Sequence, residues 1–211
     1  YRRQRQMCIR DRYKKIGFWE GGKAWANQCS CMEPVELNIM GQMGVGISTQ
    51  PRSNALCNAG IAPVADMLKN GIKVGLGTDN GEGNFYENMR YLVLMQMGKN
   101  YSKHALTPLQ GFQIATEGGA FGLGYTDVGC LKEGYSADFQ ILTGNAAIQL
   151  TEKNVVAEVF WRKDPKDIKK VYVNGNLICQ DGHSVNLDDE RIRKDFSECV
   201  REFWKGQPYQ D

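Results

Sequence analysis

The sequence predicts an α/β protein followed by a small, separate β part. Three observations carry this. Strand and helix patterns alternate from about residue 23 to residue 79. The last strand of that series, Ile72-Lys73-Val74-Gly75-Leu76-Gly77-Thr78-Asp79-Asn80, alternates apolar side chains with glycine and ends in a carboxylate. From Gly129 onward, short alternating strands replace the long helical patterns.

Residues 13–22 are polar, with Phe18 and Trp19 as an apolar pair, and read as loop or frayed helix. Lys23 to Cys29 reads as a short strand. Glu33 to Met43 reads as a helix with Pro34 near its start and Val35, Leu37, Ile39, Met40 and Met43 as apolar positions. Gly44 to Thr49 is a second strand that runs out in Gln50-Pro51-Arg52-Ser53-Asn54. Ile61 to Gly71 is a helix with Pro63 in its first turn and Gly71 as its terminator, and it leads into the strand before Asp79. Strand, helix, strand, helix, strand predicts a parallel sheet covered by helices, as a β/α barrel or a doubly wound fold.

Beyond Asp79, Gly81-Glu82-Gly83 leads to a helix over about Asn84 to Met97. Phe85, Met89, Leu92 and Met95 or Gln96 form its expected core stripe, read as packing and not as a cofactor box. A further helix is expected from Thr107-Pro108 to Ala120, capped by Thr107 and closed by Gly122. Gly129 to Leu142 reads as a turn and a strand, and Ile168 to Cys179 as a hairpin around Asn174-Gly175. Asp188 to Lys205 is an amphipathic helix with Ile192, Phe196, Val200 and Phe203 on one face. Its polar face mixes charge signs, so it is expected to dock on protein, not on a membrane.

The 211 residues are 42% hydrophobic, ordinary for a globular chain, and no apolar run approaches the roughly 20 residues that cross a bilayer. No signal-peptide pattern opens the chain, and its seven cysteines are irregularly spaced, so reduced thiols and a cytoplasmic location are expected. Residues 1–12 resemble the in-frame translation of a transposase adapter from sequencing libraries and are expected to be an artefact; the alternative is a basic arm for nucleic acid. They hold five Arg and one Asp, so the whole-chain charge of +2 becomes −2 without them. No nucleic-acid partner is then expected. An adapter joined to coding sequence also implies that an N-terminal part is missing.

Three segments together resemble the C-terminal half of the amidohydrolase superfamily, in its cytosine, guanine and S-adenosylhomocysteine deaminase-like and chlorohydrolase-like branch. They are Pro51-Arg52-Ser53-Asn54 followed by Gly60-Ile61-Ala62-Pro63-Val64, then Gly75-Leu76-Gly77-Thr78-Asp79, then Gly129-Cys130-Leu131-Lys132-Glu133-Gly134-Tyr135-Ser136-Ala137-Asp138. The resemblance covers roughly residues 24 to 180. It implies the C-terminal part of a metal-dependent (β/α)8 barrel over residues 13–128 and the end of a composite β-sandwich, built from both chain ends, over 129–185; residues 186–211 hold the amphipathic helix read above from its periodicity. It also implies a divalent metal, zinc foremost with iron or manganese as alternatives, held by upstream histidines and by Asp79. The ion would acidify a water that attacks a non-peptide carbon–nitrogen bond of a small-molecule substrate, with Asp79 also taking a proton. A homo-oligomer is left open.

Two positions depart from the pattern. Thr49 stands where relatives often carry His before Pro-x-Ser-Asn, and Gln28 stands where a His that assists the hydrolytic water is expected. Neither Thr nor Gln serves as a base near neutral pH, although both can hydrogen-bond water. Thr49, Gln28, Ser53 and Asn54 are therefore expected in substrate binding or loop support. The alternative is a non-catalytic protein of this fold. His104 and His183 are not expected ligands, and Cys29-Ser30-Cys31 lacks a second pair for a thiolate site. The His-x-Glu and Pro-Cys-x-x-Cys signature of the unrelated zinc deaminases is absent, and so is a P-loop Lys-Ser/Thr after Asn80 to Asn84.

Overall fold

The computed structural model describes residues 13–18, 20, 24–80, 83–144, 146 and 148–205. The adapter-like residues 1–12, along with Trp19, Lys23, Gly81 and Glu82, lie outside these. Contacts divide the chain into two compact units: one comprises residues up to Ser136 plus Gly144–Pro165, the other Ala137–Thr143 plus Lys166–Asp211. The sequence reading puts the change of texture near residue 128. It does not foresee that Gly144–Pro165 returns to the first unit.

The first unit is built on a three-stranded parallel sheet in the order β1 (Trp25–Asn27), β2 (Gly46–Thr49), β3 (Val74–Leu76). Asn27 pairs with Ser48 and Thr49 with Leu76, so the three strands end side by side at their carboxyl ends. Parallel strands need crossovers, and helices supply them. Helix α1 (Pro34–Gln42) joins β1 to β2; α2 (Pro51–Leu56) and α3 (Val64–Lys69) join β2 to β3. Ile47, Val64 and Met67 are fully buried and form the core of this unit with Val45, Leu92 and Val93.

Helix α2 corrects the sequence reading, which treats Pro51 to Asn54 as the run-out of a strand. Pro51 sits in the first turn, where its missing N–H costs nothing. The next helix, α4 (Phe85–Asn100), is capped by the Asn84 side chain, which accepts from Glu87 N. It buries Tyr86, Asn88, Met89, Leu92, Val93 and Gln96, whereas Phe85, expected in the core stripe, is exposed. Arg90 ties α4 to α7 (Val155–Arg162), donating to the Phe160 and Lys163 carbonyls and to Asp164 at 2.8 Å.

Helix α5 (Pro108–Gln113) passes through a π-helical turn (Ile114–Gly118) into α6 (Gly119–Leu123), and it is Gly124, not Gly122, that terminates it in the left-handed conformation. The π turn lies against β3 so closely that a Cβ on Gly118 would sit 2.0 Å from the Val74 carbonyl oxygen. Only glycine permits that approach.

The second unit is an antiparallel sheet in the order β4 (Phe139–Leu142), β5 (Ile168–Val173), β6 (Asn176–Gln180), β7 (His183–Ser184). The expected hairpin is present, with Asn174 and Gly175 at φ 48° and 75°. Among the described residues this is a single sheet. Helix α8 (Asp189–Phe203) is capped by Asp188 on Arg191 N at 2.9 Å. Within this unit its Ile192, Phe196 and Phe203 side chains stay exposed. No helix among the described residues is long and apolar enough to cross a membrane.

Candidate active site

The carboxyl ends of β1, β2 and β3 converge on Asp79. After Leu76 the chain runs through Gly77, whose N–H donates to the Thr49 carbonyl at 2.9 Å, and Thr78. It then turns at Asp79, which has φ 52°. Aspartate is among the few residues that tolerate this left-handed region. Beyond β1, Gln28 and Cys29 are also left-handed, at φ 65° and 50°. Gln and Cys adopt such angles at a cost of order 1 kcal/mol each. Donation from Gln28 N to Ser48 O at 2.8 Å helps hold them there.

This bend aims the Gln28 side chain at Asp79. Gln28 Nε2 donates to Asp79 Oδ2 at 2.6 Å, and Ser53 Oγ, in the first turn of α2, donates to the same oxygen at 3.0 Å. Among the described residues, no donor reaches Oδ1. Hydrogen bonds to a charged acceptor contribute roughly 1.5–3 kcal/mol each. They fix the carboxylate's orientation and leave one oxygen open at the exposed strand-end face. Ser53 thus meets Asp79 through its hydroxyl.

Thr49 and Asn54 are not brought to Asp79. Thr49 is 1% exposed, and both residues line a narrow pocket with Gly60, Ala62, Leu92 and Gln96. Asn54 Nδ2, Gln28 Oε1 and Gln50 Oε1 are buried atoms without a hydrogen-bond partner among the described residues. The Gln50 amide nitrogen donates to Asn27 Oδ1 at 2.5 Å and to Ser48 Oγ at 2.7 Å, linking β1 to β2 behind the site. Asn88 of α4 donates from Nδ2 to the Gly77 carbonyl at 2.6 Å and accepts from Arg52 N at 3.2 Å. Sequence reasoning missed Gln50 and Asn88. The signal for Asn88 was an amide beside Met89 within the apolar stripe.

No group of three His, Cys, Asp or Glu side chains that could hold a metal occurs among the described residues. Asp79 nevertheless suits a hard divalent cation as one ligand, since it is an oriented carboxylate with an open oxygen. It cannot hold one by itself.

The amidohydrolase family model matches residues 2–178. Over 174 residues the chain is 33% identical to a 5-methylthioadenosine/S-adenosylhomocysteine deaminase from Shouchella clausii, a match covering 81% of this chain and 40% of that protein. A crystal structure of an adenosine deaminase from Xanthomonas campestris with bound zinc superimposes with a TM-score of 0.85 at 17% identity, covering 92% of this chain and 45% of that one. The zinc-complexed atrazine chlorohydrolase from Arthrobacter aurescens gives 0.78 at 21%, covering 90% and 43%. At these identities the structural likeness shows the fold, an α/β segment of a (β/α)8 barrel. The chain spans about 40% of the length of the curated relatives it matches.

Proposed function

The chain belongs to the amidohydrolase family, and on that premise we propose that it is a segment of a metal-dependent hydrolase acting on a non-peptide carbon–nitrogen bond of a small cyclic amidine or purine-like substrate. The observation that carries this reading is the Gln28–Asp79 hydrogen bond. At 2.6 Å, it joins side chains 51 positions apart and orients a carboxylate at the carboxyl end of a parallel sheet. Strand ends of that kind are where β/α barrels do chemistry. The deaminase names of the relatives at about 30% identity support the reaction class.

Asp79 would be one ligand of a divalent ion, zinc first and iron or manganese next, with imidazoles from an upstream part of a longer chain completing the set. Such an ion supplies Lewis acidity and lowers the pKa of a water molecule toward neutrality. Asp79 would take a proton through its open Oδ1. Gln28 and Ser53 hold Oδ2 and stop the carboxylate from rotating. Gln28 Oε1, buried and without a partner among the described residues, would accept a hydrogen bond only from a water or substrate group that enters the site. Thr49 and Asn54 support the loop from behind.

A second reading, a non-catalytic protein of this fold, is favoured by Thr49 and Gln28, which stand where histidines are expected: neither can take up a proton, and the Gln28 amide is committed to Asp79. The two are separated on the longer protein by metal analysis and by ammonia release from adenosine-type nucleosides. Stoichiometric metal with turnover supports the hydrolase. Protein that takes up no zinc, iron or manganese and releases no ammonia supports the second reading.

A further inference from the structure

Asp79 lies on the loop after β3 and Ser53 in the first turn of α2, and the backbone bond from Gly77 N to Thr49 O does not fix where either side chain points. One buried side chain touches both segments. Asn88, 1% exposed on the inner face of α4, donates from Nδ2 to Gly77 O at 2.6 Å, two residues before Asp79, and accepts from Arg52 N at 3.2 Å, one residue before Ser53. Its neighbour Glu87 meets the Arg52 guanidinium at 3.4 Å, so the first turn of α4 grips the first turn of α2 twice. The Asn84 cap holds that turn in place, its side chain accepting from Glu87 N at 3.1 Å.

We propose that Asn88 is the positioning residue of this site: its amide staples the loop after β3 to the first turn of α2 in the register that lets Ser53 donate to Asp79 Oδ2. Asparagine suits this place because its side chain presents one acceptor and a donor group on a short, stiff stem. Aspartate, of the same shape, would keep the acceptor for Arg52 N. It would also turn a carboxylate oxygen toward the Gly77 carbonyl, leaving both acceptors without a donor. Leucine would keep volume and lose both bonds. No other described side chain bonds both the Gly77 and Arg52 backbones.

The proposal rests on the reading of Asp79 as a metal ligand only for its consequence, so its test has two arms on the longer protein. The first needs no metal. A double-mutant cycle of S53A and D79N, read by urea unfolding of the apo protein, measures the Ser53–Asp79 coupling in the native background and again with Asn88→Asp. The coupling is expected to fall to within error in the Asn88→Asp background. Should that variant fail to fold, the milder Asn88→Ser takes its place. Coupling that survives undiminished overturns the proposal. So does an equal loss in Asn100→Ala, a control at the far end of the same helix that bonds Gln96 O. The second arm is zinc affinity by chelator competition, expected to weaken about tenfold in Asn88→Asp, the lower end for residues that orient ligands. If the native protein takes up no zinc, the metal reading fails while the apo cycle still decides the role of Asn88.

Discussion

Asp79 receives both of its described donors on one oxygen, and that asymmetry sets what substitution there should do. In the longer protein, Asp79→Ala should abolish turnover and leave less than one equivalent of zinc by elemental analysis; a full equivalent retained would remove it from the ligand set. Loss of one donor is milder. Ser53→Ala and Gln28→Leu should each weaken zinc binding by about tenfold in chelator competition, and the double variant should lose more than the product of the two, because each single variant keeps one donor on Oδ2. Two donors on one oxygen share the work of orientation, and groups in direct contact are not additive. Asp79 was legible in the sequence because a strand-end carboxylate after an apolar alternation is a local pattern. Gln28 was singled out by the family resemblance, but its bond was not, since contact across 51 residues leaves no trace in either segment alone. Thr49 was placed by position in the motif. The structure buries it among apolar neighbours because Ile47 and Thr49 share a strand face, and that face packs inward.

At the scale of elements, period and punctuation were readable where local chemistry decides and misleading where tertiary contact decides. The Thr107 cap is local: its hydroxyl accepts from Gln110 N while Gln110 Oε1 accepts from Thr107 N, the reciprocal pair of a capping box. Thr107→Ala should cost about 1 kcal/mol in urea unfolding. The end of the same helix was misplaced at Gly122, because Gly118 and Gly122 serve close packing and not termination. Gly122 meets the Trp25 ring, and Gly118 meets the β3 backbone. Gly118→Ala should therefore destabilise by about 1–3 kcal/mol or more, since a backbone carbonyl 2.0 Å from the new methyl cannot swing away as a side chain would. The π turn that brings Gly118 there has no period of its own for sequence analysis to detect. In the second unit the hairpin was legible from Asn174-Gly175 alone. Lys169 donates to Asp181 at 3.0 Å and holds its carboxyl below the usual range, so any stabilisation is full above the ordinary carboxylate pKa and fades as pH falls through the lowered value. The stability difference between native protein and Asp181→Asn should vanish at the acid end of that window. A difference that grew on acidification would reverse the assignment.

The whole molecule raises a question of completeness that its parts do not. A parallel sheet is stable when both faces are covered and its edges are paired. Here three strands stand in a row, with β1 and β3 outermost among the described residues. A catalytic zinc takes about three protein ligands with one position left for water. This chain offers Asp79 and no group of three suitable side chains among the described residues. Both shortfalls concern the same region, since the strands that would pair with β1 in a longer barrel would also end at this face and bring ligands to it. The 211-residue chain on its own should therefore show no metal-dependent ammonia release from nucleosides, whichever of zinc, iron or manganese is supplied, while the longer polypeptide shows it with the same metal. The comparison is informative only if the shorter chain is folded, so circular dichroism and a cooperative urea transition accompany the assay. Turnover by the folded 211-residue chain that disappears in Asp79→Ala would show that these residues alone assemble a working centre, and the proposal of upstream ligands would fall.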